Sequence, residues 1–356
     1  MSIPAHFTPQ RVLVIKLRHH GDMLLTTPVI NALHQRYPQA KIDVLLYKET
    51  QPMLAAHPAI NQLLIIDRQW KKEGVWRHLR HEWQLLRQLR QQKYDLIINL
   101  ADQWRSALLT LFSAAPVRIG FDYDKRQSFL WRIAHPTRVS TARFEQLHTA
   151  EQNLQALLPL GIASDGARAS MHYHDEDWQH VEQMLRDKGI SQPWIVIQPT
   201  SRWIFKCWSD EQFATLLSEL ASPDYQLVLT SAPDKGELQM ITNIMTLSTN
   251  KQVVSLAGEL SLTELAALID HACLFIGVDS APMHMAAALD TPCIALFGPT
   301  KLTQWRPWGP HNQVIWAGDY GALPDPDSIN THTETRYLSS IPVEKVADAA
   351  RSFLND

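Results

Sequence analysis

Short apolar runs of strand length recur along this chain between longer stretches with helical spacing, and that alternation constrains its fold more than any other feature. In the first half the runs are 12–17, 42–47, 63–66 and 95–100, and the segment 75–92 between the last two has helical periodicity. Strands that read as unbroken apolar runs are buried on both faces, which implies a parallel sheet covered by helices. The pattern then restarts with runs at 194–198, 226–230, 253–256, 274–278 and 293–297, separated by helix candidates at 210–221, 234–247, 261–270 and 281–289. The expectation is an α/β chain of two doubly wound domains.

A length of 356 residues fits two domains, at roughly 100 to 200 residues each. Gly161, Ser164, Asp165 and Gly166 interrupt the periodicity and mark a linker between Leu160 and Tyr173. The domains are expected at 1–165 and 166–335. Gly321, Pro324 and Pro326 place a loop at 318–332, ahead of a C-terminal segment, 336–356, whose helix at 343–353 is expected to pack back on the N-terminal domain. Facing domains of this kind bind ligands at the carboxyl ends of their strands, in a central cleft.

With 45% hydrophobic and 19% charged residues, the chain is neither disordered nor fibrous. A net charge of −3 excludes a globally basic nucleic-acid binder, so an anionic ligand must be met locally. Three cysteines without a C-x-x-C pair argue against a disulfide framework or a cysteine zinc site. Residues 1–10 lack the apolar core of a secretory signal, and no run approaches bilayer length. A cytoplasmic location, peripheral to a membrane, is expected.

The usual motifs are missing. No G-x-G occurs among the thirteen glycines, so a dinucleotide fingerprint is absent; Gly161 and Gly166 have P-loop spacing, but Ala167 and Arg168 follow them. Neither a nucleophile elbow nor H-E-x-x-H is present. Asp122-Tyr123-Asp124 and Asp175-Glu176-Asp177 have the form of metal-binding D-x-D strings. The first reads more simply as a polar turn and the second as the acidic start of a helix. His19 with His20, and His172 with His174, lack further ligands nearby. No metal and no cofactor are expected.

Four segments that follow strands carry the candidate chemistry. Gly21-Asp22 follows the first strand and places a carboxylate where substrate sits, as a general base or as a helix cap. Asp279-Ser280-Ala281-Pro282-Met283-His284 ends a buried strand and opens a helix, whose unpaired amides hold phosphate without metal; the alternative is a core helix capped by Asp279. Thr200, Ser201 and Lys206 lie in a loop able to donate to a diphosphate, although exposed lysines are commonly just solvated. Asp234 and Glu237 are candidate ribose ligands or, equally, helix-start carboxylates.

Together these four segments resemble the bacterial lipopolysaccharide core heptosyltransferases, GT-B glycosyltransferases that use ADP-heptose. The resemblance rests on Gly21-Asp22, on Lys206-Cys207-Trp208, and on Val278-Asp279-Ser280 with His284, Ala287 and Ala288, followed by Phe297-Gly298-Pro299-Thr300. It spans most of the chain and is strongest to the branch that adds the third, branching heptose. It implies two Rossmann-like domains and an inverting, metal-free transfer of L-glycero-D-manno-heptose to the inner-core heptose of lipopolysaccharide, with Asp22 as base. Thr200, Ser201, Lys206, Asp279, Ser280, Ala281 and His284 would hold ADP, Asp234 or Glu237 the ribose, and Leu260 the adenine. Ser280-Ala281 stands where relatives often have Thr-Gly, and the interval between Ser201 and Lys206 is one residue longer than in heptosyltransferase I. Competing readings are a UDP-sugar transferase or epimerase of similar fold, and a nucleotide-sugar binder without catalysis.

The segment 68–93 holds eight arginines or lysines, Arg77, Arg80 and Arg87 among them, against Glu73 and Glu82, with Trp70, Trp76 and Trp83 interleaved. It reads either as a surface for the lipid-linked acceptor and the anionic inner leaflet, or as a solvated helix with Trp76, Leu79, Trp83 and Leu86 packed inward.

Overall fold

The computed structural model describes residues 3, 4, 6–163 and 166–355; Ser164 and Asp165 of the expected linker and Met1, Ser2 and Ala5 of the N-terminal stretch lie outside the described residues. Contacts divide the chain into two units, Met1–Ala169 and Ser170–Asp356. The boundary falls four residues beyond the expected one, because the backbone after the linker is still tied to the first unit: Asn31 Nδ2 donates to the Arg168 carbonyl at 3.3 Å.

The first unit is a parallel sheet of β1 (Arg11–Ile15), β2 (Lys41–Tyr47), β3 (Ile60–Ile66), β4 (Leu96–Asn99), β5 (Val117–Asp122) and β6 (Thr137–Ser140), in the order β3-β2-β1-β4-β5-β6. The second is built from β7 (Trp194–Gln198), β8 (Gln226–Leu229), β9 (Val254–Ser255), β10 (Leu274–Val278), β11 (Cys293–Phe297) and β12 (Asn312–Trp316), in the order β12-β11-β10-β7-β8-β9. Both sheets pair in parallel throughout. This is the expected doubly wound α/β architecture. Central strands β1, β4, β7, β10 and β11 bury their apolar residues on both faces, as their unbroken runs require.

Three strands escaped the sequence reading: β5, β6 and β12. β6 and β12 are edge strands with mostly half-exposed residues, β6 without an apolar run and β12 with only the short Val314–Trp316. β5 carries Arg118 and Gly120 in its interior. Gly120 is required there, since a Cβ would stand 2.6 Å from Cδ2 of His135.

The C-terminal helix Val343–Asn355 belongs to the second unit. Its Val346, Ala347 and Ala350 are buried in the apolar core of the second unit, together with Phe213, Leu217, Ile276 and Leu296, and Arg351 Nη2 donates to Glu219 Oε2 at 2.8 Å. Its apolar stripe is satisfied by the core of its own unit. Among the described residues, no helix is long and apolar enough to cross a membrane.

His135 is fully buried behind Gly120. Its Nε2 lies 2.8 Å from Asn99 Nδ2 and its Nδ1 lies 3.1 Å from the Trp131 carbonyl, so one ring nitrogen accepts and the other donates, as neutral imidazole does. Burial lowers its pKa to about 4. An unfolded chain takes up this proton near pH 6.5 and the folded one only near 4, so its stabilising contribution is complete above pH 6.5 and is lost as pH falls through that window, in total about 3 kcal/mol. Urea unfolding of the first unit at pH 7.5 and pH 4.5 should show this loss, and His135→Gln should flatten it; equal acid sensitivity of the two proteins would remove His135 as the cause.

Candidate functional site

In a doubly wound sheet, the loops leaving the carboxyl ends of the two central strands run in opposite directions and leave a crevice. In the second unit those strands are β7 and β10. Four loops meet at that edge. Thr200 and Ser201 follow β7, Ser231–Glu237 follows β8, 256–260 follows β9, and Asp279 and Ser280 follow β10.

Hydrogen bonds join these loops. Thr230 Oγ1 donates to Gln198 Oε1 at 2.7 Å, Gln198 Nε2 donates to Thr200 Oγ1 at 2.8 Å, and Thr200 Oγ1 donates to Glu237 Oε2 at 2.5 Å. Glu237 Oε2 also accepts from the Ala232 amide at 3.1 Å. The Gly258 amide donates to the Ser231 carbonyl at 3.0 Å. Gly258 has φ +73° and lies against Pro233 and Leu238, where a Cβ would come within 3.3 Å of the Pro233 backbone. Leu260, two residues on, is half-buried.

Lys206 ends a short 3₁₀ turn, Ile204–Lys206, and its Nζ donates to Asp279 Oδ2 at 2.6 Å, with the carboxylate side chain only 6% exposed. Ser201 Oγ donates to the Asp279 carbonyl at 3.4 Å. Asp279 is therefore not the cap of the following helix, as one reading supposed. The helix Ala281–Ala288 has Ser280 as its N-cap residue, in extended conformation and without a side-chain cap bond. Ser280 Oγ is buried with no partner among the described residues. His284 is buried one turn on, its ring 6.4 Å from Trp305. The arrangement combines a nearly buried cation, free helix amides and a hydroxyl, a set that suits an oxyanion.

Asp234 does cap: its Oδ1 accepts the Gly236 amide at 2.8 Å and the Glu237 amide at 3.4 Å. The D-x-D strings take their simpler readings. Asp122 ends β5 and pairs with Arg138 at 3.4 Å, and Asp124 opens a 3₁₀ turn. Asp175–Asp177 form the first turn of the helix Asp175–Asp187, and Asp177 accepts from the His174 amide at 2.9 Å.

In the first unit the crevice strands are β1 and β4. Asp22 is the third residue of the short helix His20–Leu24, half-buried, and its Oδ2 accepts the His19 amide at 3.4 Å. Its neighbours were not foreseen. Lys16, at the end of β1, is 6% exposed and donates to Asn153 Oδ1 at 3.0 Å. Burial holds its pKa down, partly offset by the charges of Asp22 and Asp102. Asp102, after β4, accepts from Arg18 Nη2 at 3.3 Å and from Lys125. Burial pushes its pKa up, but these two cations win and hold it below the usual carboxylate range. A lysine closing an otherwise apolar run was the available signal for Lys16; Asp102 and Asn153 offered none.

The helix Val75–Gln92 carries Arg77, Arg80 and Arg87 exposed. Its inward residues are Leu85 and Leu89, while Trp76, Leu79 and Trp83 are exposed, which overturns the reading that packed them inside.

Residues 82–334 match glycosyltransferase family 9 (heptosyltransferase). The chain is 44% identical over 338 residues, 95% of its length and 97% of the relative's, to lipopolysaccharide heptosyltransferase 3 of Escherichia coli. Its fold superposes on a family 9 glycosyl transferase of Veillonella parvula with a TM-score of 0.83 at 24% identity, covering 97% of each chain. Against E. coli heptosyltransferase WaaC with ADP the TM-score is 0.76 at 21% identity, covering 96% of this chain and 99% of that one. The chain belongs to glycosyltransferase family 9, the heptosyltransferases. It is thus a glycosyltransferase of GT-B architecture.

Removing one member of the Lys206–Asp279 pair strands the other out of water. Lys206→Ala should therefore lower the stability of the second unit by about 3–5 kcal/mol. The double variant Lys206→Met, Asp279→Asn should recover most of that in urea titrations, and a double variant as unstable as the single one would show that the pair is not what the site rests on.

Proposed function

We propose that this chain is a heptosyltransferase of type 3, transferring L-glycero-D-manno-heptose from ADP-heptose to the inner-core heptose of lipopolysaccharide. The identity to heptosyltransferase 3 of E. coli supports the activity. The observation that carries the mechanism is the contact of Lys206 with Asp279 at the N-terminus of the helix Ala281–Ala288.

In this reading Asp22 takes the proton of the acceptor hydroxyl as its oxygen forms a bond to the anomeric carbon. The bond from that carbon to the phosphate oxygen breaks, its electron pair leaves with ADP, and the configuration inverts. Lys206, Ser280, the amide of Ala281, Ser201 and His284 stabilise the departing diphosphate, in place of a metal ion, while Thr200 holds Glu237. Asp279 orients Lys206. Glu237 is the ribose ligand, since Asp234 is engaged as a cap, and Leu260 lines the adenine side. The acceptor is lipid-linked, so the enzyme works in the cytoplasm at the inner face of the membrane.

Asp22→Asn should fold normally and lose about 10²- to 10⁴-fold in turnover, measured with ADP-heptose and a core-truncated acceptor. A near-native rate would leave Asp22 as a helix residue only. Transfer should continue in excess EDTA; activity abolished by EDTA and restored by magnesium or manganese would overturn the metal-free mechanism. UDP binding tighter than ADP in thermal-shift ranking would favour a UDP-sugar enzyme instead.

A further inference from the structure

Three neighbouring helices of the first unit, Val75–Gln92, Trp104–Phe112 and Phe129–Ala134, expose large apolar side chains that none of the described residues covers. On the first helix Trp76, Leu79 and Trp83 fall at intervals of three and four and form one stripe, Trp76 being 85% exposed. On the second, Leu108 and Phe112 point away from buried Ala107 and Thr110, with Phe112 51% exposed. On the third, Phe129 is 78% exposed next to Leu130. The helices are held together: Arg105 Nε donates to Glu82 Oε2 at 3.2 Å, and Trp104 meets Trp131 edge-on at 5.7 Å. Large apolar side chains exposed together on adjoining helices mark an interaction surface.

The charge around this surface is one-sided. Both acids of the first helix region are engaged, Glu73 by His81 and Glu82 by Arg105. Arg77, Arg80, Arg87 and Arg90 have no carboxylate partner among the described residues, and Arg126 lies over the Trp104 ring at 5.5 Å. We infer that these three helices form a docking face for an anionic bilayer, tryptophan and phenylalanine entering the headgroup boundary and arginines meeting lipid phosphates. A second copy of the chain fits poorly, because a two-fold contact would press the arginine cluster against itself. The inference rests on the lipid-linked acceptor proposed above and adds the surface that reaches it.

The test is co-sedimentation with vesicles. The wild-type chain should bind phosphatidylglycerol–phosphatidylethanolamine vesicles, bind phosphatidylcholine vesicles at least about tenfold more weakly, and release in 0.5 M salt. The variant Phe112→Ser, Phe129→Ser should keep its melting temperature and lose about tenfold or more in vesicle affinity. Binding that ignores lipid charge, or a variant that binds like wild type, would overturn the inference. So would a concentration-dependent dimer that the same variant disperses. Both proteins should turn over a deacylated, water-soluble acceptor equally. Absence of turnover by the wild type would count against the transferase reading and leave the vesicle result standing on its own.

Discussion

Two parallel strands cannot be joined by a hairpin, so each strand in both sheets is followed by a crossover that returns to the same starting edge. Every carboxyl end then lies on one edge, and the strand order β3-β2-β1-β4-β5-β6, repeated as β9-β8-β7-β10-β11-β12, opens a crevice beside β1 and beside β7. The functional candidates of each unit are gathered by this rule alone. Residues 200 and 279 are far apart in the chain, yet Ser201 reaches the Asp279 carbonyl because β7 and β10 are neighbours.

Within those crevices the polar groups are matched to one another by burial. Lys206 and Asp279 sit in surroundings where either charge alone would be costly, so their contact fixes the lysine near the helix end. Asp102 plays the corresponding part in the first unit, one carboxylate between Arg18 and Lys125. One negative charge is there shared by two cations.

Capping and strand content were readable because they depend on neighbours in sequence. Asp234 before Gly236 and Glu237, and Pro282 in the first turn after Ser280, declare helix starts locally. The strands missed were those whose burial is partial or whose composition answers to a distant side chain, such as Gly120 beneath His135. The same division runs through the candidate residues of each unit. Asp22, Lys206 and Ser280 follow recognisable strand ends, whereas Lys16 is joined to Asn153 across 137 positions of sequence.

The sequence by itself determined the alternation of buried strands and helices, hence two doubly wound units, and the helix start at Ser280. These follow from periodicity and local backbone chemistry. Tertiary structure decided which charges pair and which faces are covered. Asp279 turned to Lys206 instead of capping its helix, the last helix chose the sheet of its own unit, and the helix Val75–Gln92 buried Leu85 and Leu89 while leaving Trp76 and Trp83 in water. A helical stripe states only that a side chain is apolar; what it meets depends on elements brought alongside by the sheet.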